Sequence, residues 1–320
     1  MTAEKYCAPE RGLRYTAGKI GLTMLFHTLL IDLLFLAEAF VEFIVRAIAD
    51  EFSGIFGIYA ADIAAGLLEA ATYLLAFMLP VAFYAIITPR SMHRPMNLGV
   101  SLPTCTWAII LFALAANTAA SYLNYYFVSS LGIPAVSAGE GATDAVGIIL
   151  SFINVALVPA ICEEFLFRGC ILSALLPYGK STAVIGSALL FALMHNNIWQ
   201  FFYTCIAGII LGAVYVATGS IWAGTFIHLF NNFSSVLMAA LGGRTNEAAA
   251  AVISGIYDAV LLAAGLAAGV WLILHEKKPE IGENERSDAA APESFRGFFA
   301  PAMIVYFVIA TAIALTAEVR

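Results

Sequence analysis

The stretch ILSFINVALVPAICEEFLFRGCILSALLP, residues 149–177, decides how this chain is read. It is apolar over more than the roughly 20 residues that a helix needs to cross a bilayer. It nevertheless contains Glu163, Glu164 and Arg168. A charge at membrane depth costs roughly 3 kcal/mol on insertion scales, so charges this close together demand partners, water or a task. Glu164 and Arg168 are spaced i,i+4, which on a helix brings them together as a charge-assisted pair. Glu163 projects about 100° away, on the face of Phe167, and is left without a counter-charge. It is therefore the candidate for chemistry. Pro159, four residues earlier, removes a backbone hydrogen bond and should kink the helix just ahead of the acidic pair.

The rest of the chain is of the same character. Of 320 residues, 62% are hydrophobic and 12% charged, and mean hydropathy is +0.90; soluble domains carry about 25% charged residues. Apolar segments fall at 19–48, 58–88, 104–130, 145–176, 181–196, 198–218, 220–242, 250–275 and 298–317. All exceed the length of a barrel strand. The expected fold is thus an all-α, polytopic integral membrane bundle of eight to nine transmembrane helices. The location expected for it is a multi-pass position in the plasma membrane of a prokaryote. The Lys/Arg bias of the short loops puts the N-terminus, the loop 89–102 and the polar loop 276–296 inside, and the loops 49–57 and 131–144 outside. Residues 1–18 are polar and do not read as a signal peptide. A net charge of -7 without a basic patch argues against nucleic acid as a partner. Five scattered cysteines with no C-x-x-C spacing read as small buried hydrophobes.

Other polar residues inside the spans have plainer readings. Glu38, Glu42 and Arg46 share one helix face, with Glu42→Arg46 a favourable pair. They suit either a polar cavity wall or, as the preferred reading, a helix lying partly at the interface. Asp62, Glu69 and Asp258 suggest nothing specific, and His27, His93 and His275 read as structural or solvated. Gly208-x-x-x-Gly212 and Gly265-x-x-x-Gly269 have helix-packing spacing.

Two stretches supply partners for Glu163. Phe191-Ala-Leu-Met-His195 ends one segment, and His228-Leu-Phe-Asn231-Asn232 lies within another, with His228 and Asn232 on one face. Counted from the inner ends of their segments, Glu163 lies about 20 Å deep, His195 about 21 Å, and His228 and Asn232 about 12 and 18 Å. Three segments therefore present polar groups at overlapping depth, which independent structural histidines have no reason to do.

Glu-Glu-x-x-x-Arg, then Phe-x-x-x-His, then His-x-x-x-Asn, each on its own membrane helix and in this order, resembles the CPBP (CAAX protease and bacteriocin-processing, or Abi) family of intramembrane endopeptidases, which includes the Ras-converting CAAX prenyl endopeptidases. The matching stretch runs from Glu163 to Asn232 within a core set at 104–275. It leaves the N-terminal helices 1–103, and the polar loop with the C-terminal helix 276–320, outside the resemblance. What the resemblance implies is an endopeptidase acting on a membrane-associated peptide or protein, in some cases lipidated, with membrane lipid around it. Glu163 would activate water, His195 would orient that water or share its proton, His228 and Asn232 would stabilise the oxyanion, and Glu164 with Arg168 would hold the helix.

Two mechanisms use the same residues. One needs no cofactor; the other uses Zn²⁺ held by Glu163, His195 and His228. The lack of His-Glu-x-x-His, and an asparagine in the fourth place, favour the metal-independent one. Rival functions are an ion-coupled transporter with Glu163 and Glu164 as ion ligands, and a non-catalytic bacteriocin-immunity or scaffold protein using the same cavity.

Overall fold

A computed structural model describes residues 12–51, 55–89, 105–133, 141–275 and 295–317. The loop residues Arg90, His93, Arg94, Glu140, Lys277, Lys278 and Arg286, together with Cys7, lie outside the described residues. The described chain is helical throughout: α1 Gly12–Glu51, α2 Ile55–Ile87, α3 Thr106–Ser130, α4 Ala145–Tyr178, α5 Lys180–Met194, α6 Ile198–Thr218, α7 Ile221–Gly242, α8 Glu247–His275 and α9 Pro301–Ala317. Helices thus stand at all nine expected places. Five of the described helices are long and apolar enough to cross a membrane: α3, α4, α6, α8 and the Tyr59–Ile87 part of α2. Two others, Lys180–Met194 and Pro301–Thr316, are apolar but shorter. Large apolar side chains such as Leu36, Phe43, Ile86, Leu274 and Ile273 face outward, as they must where lipid is the solvent.

α4 and α7 are the centre of the bundle. α2 packs on α4, α1 pairs with α2 and α9, α5 pairs with α6, and α3 lies between α6 and α8. The main apolar core is continuous from Leu13, Ile20 and Met24 of α1 through Phe77 of α2 and Leu166, Phe167 and Ile171 of α4 to Met303 and Tyr306 of α9. The helices on either side of the segment 104–275 therefore share its core. A second cluster joins Ile110 and Leu114 of α3, Leu211 and Val214 of α6, and Ile227 of α7.

The expected break in α4 takes the form of two π-helical stretches, Phe152–Leu157 and Phe165–Leu172, flanking the α-helical turns Val158–Glu164. Pro159 has no N–H to give the carbonyl of Val155, four residues back. The Asn232 Nδ2 of α7 donates to that oxygen instead, at 3.1 Å. The lost backbone bond of one helix thus becomes a tie to its neighbour.

The small-residue pairs pack helices, as their spacing suggests. A Cβ on Gly208 would meet the Ala188 backbone of α5 at 2.9 Å, and one on Gly265 would collide with the Ala115 side chain of α3. The Glu42–Arg46 pair forms at 2.8 Å, and Arg46 also reaches Asp62 of α2 at 3.2 Å. Glu69 accepts from Asn154 of α4 at 2.7 Å, and Asp258 accepts from Tyr122 of α3 at 2.6 Å. Three carboxylates that suggest nothing in the sequence therefore each join two helices. Glu38, Glu42 and Arg46 line a cavity of about 420 Å³ between α1, α2 and α4, so here the cavity-wall reading replaces the interfacial one.

Gly208→Ala should lower thermal stability in detergent by the equivalent of about 1–3 kcal/mol, since the added methyl meets backbone. Gly255→Ala, with open space around it, should leave stability unchanged or slightly raised by helix propensity. Equal melting curves for the two variants would refute the close approach of α5 and α6.

Candidate active site

The centre of the site is an ion pair with no access to solvent. Arg168 Nη1 lies 2.7 Å from Glu164 Oε1, and both residues are 0% exposed. The guanidinium also stands over the Phe191 ring, 4.7 Å from its centroid, and Nη2 approaches the Gly208 carbonyl at 3.4 Å. Gly224 of α7 makes room for the acid, because a Cβ there would come within 2.8 Å of Glu164 Oε2. The pair is the one expected from the i,i+4 spacing.

His228 of α7 stands between the two acids. Its Nδ1 is 3.2 Å from Glu164 Oε1 and its Nε2 is 3.7 Å from Glu163 Oε2. A carboxylate can only accept, so Nδ1 carries the proton and Nε2 is turned towards Glu163. The His228 ring is also placed by the edge of Phe191, at 5.9 Å.

His195 is set by the turn that joins α5 to α6. It caps the end of α5, Asn196 follows in the left-handed region with φ 49°, and Asn197 caps α6 by accepting from Trp199 N at 2.9 Å. Asparagine tolerates both tasks, which is why two of them follow the histidine. His195 Nδ1 donates to the Phe191 carbonyl at 2.8 Å, which leaves Nε2 as the nitrogen with a lone pair.

Glu163, His195, His228 and Asn232 line one cavity of about 70 Å³. The structure thus brings together side chains from α4, α5 and α7 that share a depth in the sequence. Glu163 is buried, and its Oε2 accepts no hydrogen bond among the described residues. Its Oε1 accepts from the Tyr73 hydroxyl of α2 at 2.5 Å. Asn232 lies at the cavity with one amide N–H already given to Val155.

Sequence reasoning missed part of this wall. Asn117 of α3 and Tyr203 of α6 also line the cavity, together with Asn231 of the α7 stretch that the sequence had offered. Asn117 is buried in an apolar helix with its Oδ1 unpartnered among the described residues. An asparagine inside such a helix was the available signal, since a polar group there needs a reason. Tyr73 had a weaker one: a phenol in an apolar helix needs an acceptor for its hydrogen.

Among the described residues no three His, Cys, Asp or Glu side chains are grouped so as to hold a metal ion. Each histidine has Nδ1 engaged, by the Phe191 carbonyl or by Glu164, and Nε2 left over, an arrangement that metal-bound histidines share.

A polytopic helical bundle with acids, imidazoles and carboxamides around one small cavity has the make-up of a membrane-embedded protease. Residues 145–234 match the family model described as Type II CAAX prenyl endopeptidase Rce1-like, which supports the resemblance of this part of the chain to the CAAX-protease (CPBP) family. The match holds α4, α5, α6 and most of α7, including Glu163, His195, His228 and Asn232. No curated protein and no solved structure matches the chain.

Removing one partner of a buried pair leaves an uncompensated charge, at a cost of about 3–5 kcal/mol. Arg168→Met should therefore strongly destabilise the protein in thermal or denaturant unfolding. Adding Glu164→Gln to it should recover a large part of the loss. If the double variant is no more stable than the single one, Glu164 is not the charge that Arg168 neutralises.

Proposed function

We propose that the chain hydrolyses a membrane-associated, prenylated CAAX-type peptide or protein by glutamate-activated water. The observation that carries this reading is the meeting of Glu163, His195, His228 and Asn232 on one buried cavity, within the stretch that carries the family match. The general-base oxygen is Glu163 Oε2, which accepts no hydrogen bond among the described residues.

In this account a water molecule between Glu163 Oε2 and His195 Nε2 is oriented by both acceptors. Its oxygen attacks the scissile carbonyl carbon while its proton passes to Glu163 Oε2. The carbonyl π electrons move onto oxygen. That oxyanion is met by the Nε2–H of a doubly protonated His228, which Glu164 holds through Nδ1, and by the second N–H of Asn232. Collapse of the intermediate breaks the C–N bond, and Glu163 returns its proton to the leaving nitrogen. The second proton of the water, held at His195 Nε2, follows to the leaving nitrogen, so the products are a carboxylate and an ammonium group, and the enzyme is back in its starting state.

Asn232 serves two ends here. Its tie to Val155 aligns α7 with the broken helix α4, and its remaining N–H faces the reaction. Arg168 stays outside the chemistry and keeps Glu164 charged in an apolar setting. No step is routed through a metal.

With a quenched fluorescent peptide ending in a prenylated Cys-aliphatic-aliphatic-X sequence, Glu163→Ala, His195→Ala and His228→Ala should each lower kcat/KM by about 10²–10⁴-fold, the usual contribution of a positioned acid or base, with helical content retained. Wild-type cleavage by all three variants would refute the assignment. The purified wild type should keep full activity in excess chelator; loss there, restored by Zn²⁺, would refute the metal-independent mechanism.

A further inference from the structure

The proposed base is held from outside the domain that carries the family match. Tyr73 lies on α2, in the segment Ala70-Ala71-Thr72-Tyr73-Leu74-Leu75-Ala76-Phe77, far from residues 145–234 in sequence. Its hydroxyl donates to Glu163 Oε1 at 2.5 Å. The phenol ring is stacked on Phe77, with centroids 4.6 Å apart, and Phe77 in turn takes the edge of buried His27 of α1 at 4.7 Å. α2 packs directly on α4 beside this contact.

The two oxygens of Glu163 therefore differ. Oε1 has a fixed donor on a ring that is clamped by aromatic neighbours. Oε2 has none among the described residues and lies 3.7 Å from His228 Nε2. A carboxylate free to rotate would present either oxygen to water, in a spread of directions. A short charge-assisted bond to one oxygen removes that freedom, and base catalysis loses steeply when a reacting atom is misplaced by about 1 Å.

We infer that Tyr73 is a positioning residue for the reaction: it anchors Glu163 Oε1 so that Oε2 alone is presented to the attacking water. The inference rests on Glu163 being the general base. It also gives the N-terminal helices a task in turnover. They complete the site by bringing a donor to an acid that the family-matched domain leaves unanchored on one side.

The test is a double-mutant cycle on the purified full chain, with the quenched prenylated peptide as probe and Glu163→Gln as control. Tyr73→Phe keeps the ring and removes only the hydroxyl. It should lower kcat about 10- to 100-fold, with KM and the melting temperature close to wild type. In a Glu163→Asp background the shorter acid cannot keep the Tyr73 contact, so adding Tyr73→Phe should cost little further. Wild-type kcat in Tyr73→Phe, or an equal loss in both backgrounds, overturns the inference. If Glu163→Gln is inactive while Tyr73→Phe is fully active, only the role of Tyr73 falls. If Glu163→Gln is fully active, the base assignment and this inference fall together.

Discussion

An arginine and a glutamate 2.7 Å apart, both closed to solvent in an apolar bundle, constrain everything placed near them. Neither charge is affordable alone at that depth. The pair fixes the face that α4 turns towards α6 and α7, because Arg168 also meets the Gly208 carbonyl and the Phe191 ring. It requires a glycine at position 224, since any side chain there would strike the carboxylate. It sets His228 too, through Nδ1 on Glu164. Glu163, one residue away and facing elsewhere, is thereby freed from the structural task.

The same economy appears in the backbone. Pro159 breaks the ladder of α4, and the freed Val155 carbonyl is taken by Asn232. Histidine 195 ends its helix at a turn made by two asparagines, which lets its Nδ1 close on the Phe191 carbonyl. Glu163 and the two histidines each have one polar atom committed to structure and one left over: Oε1 and Oε2 in Glu163, Nδ1 and Nε2 in both histidines. Committed atoms give orientation and spare atoms give chemistry, which is what preorganisation means here.

Much of this was legible in the chain. Residues 149–177 carry enough apolar length for a membrane helix and too much charge for an idle one, and the i,i+4 spacing of Glu164 and Arg168 gives their partnership directly. The common depth of His195, His228 and Asn232 follows from helical rise alone. What stayed hidden depends on which helices touch. Tyr73 is one of 13 tyrosines, and nothing in its local spacing says that α2 lies against α4. Asn117 and Tyr203 reach the cavity only because α3 packs on α6 and α6 on α5. Asp62, Glu69 and Asp258 looked isolated because each finds its partner on another helix. The polar face of α1 read as interfacial because the cavity behind it is formed by α2 and α4.

The central claim is a division of labour between adjacent acids: Glu164 carries structure and Glu163 carries chemistry. The most direct measurement is melting temperature and turnover, side by side, for the two isosteric variants Glu163→Gln and Glu164→Gln. The account predicts that Glu163→Gln melts like wild type and does not turn over, while Glu164→Gln melts well below it because Arg168 is left unpaired. A stable Glu164→Gln, or a Glu163→Gln that still cleaves, would contradict it.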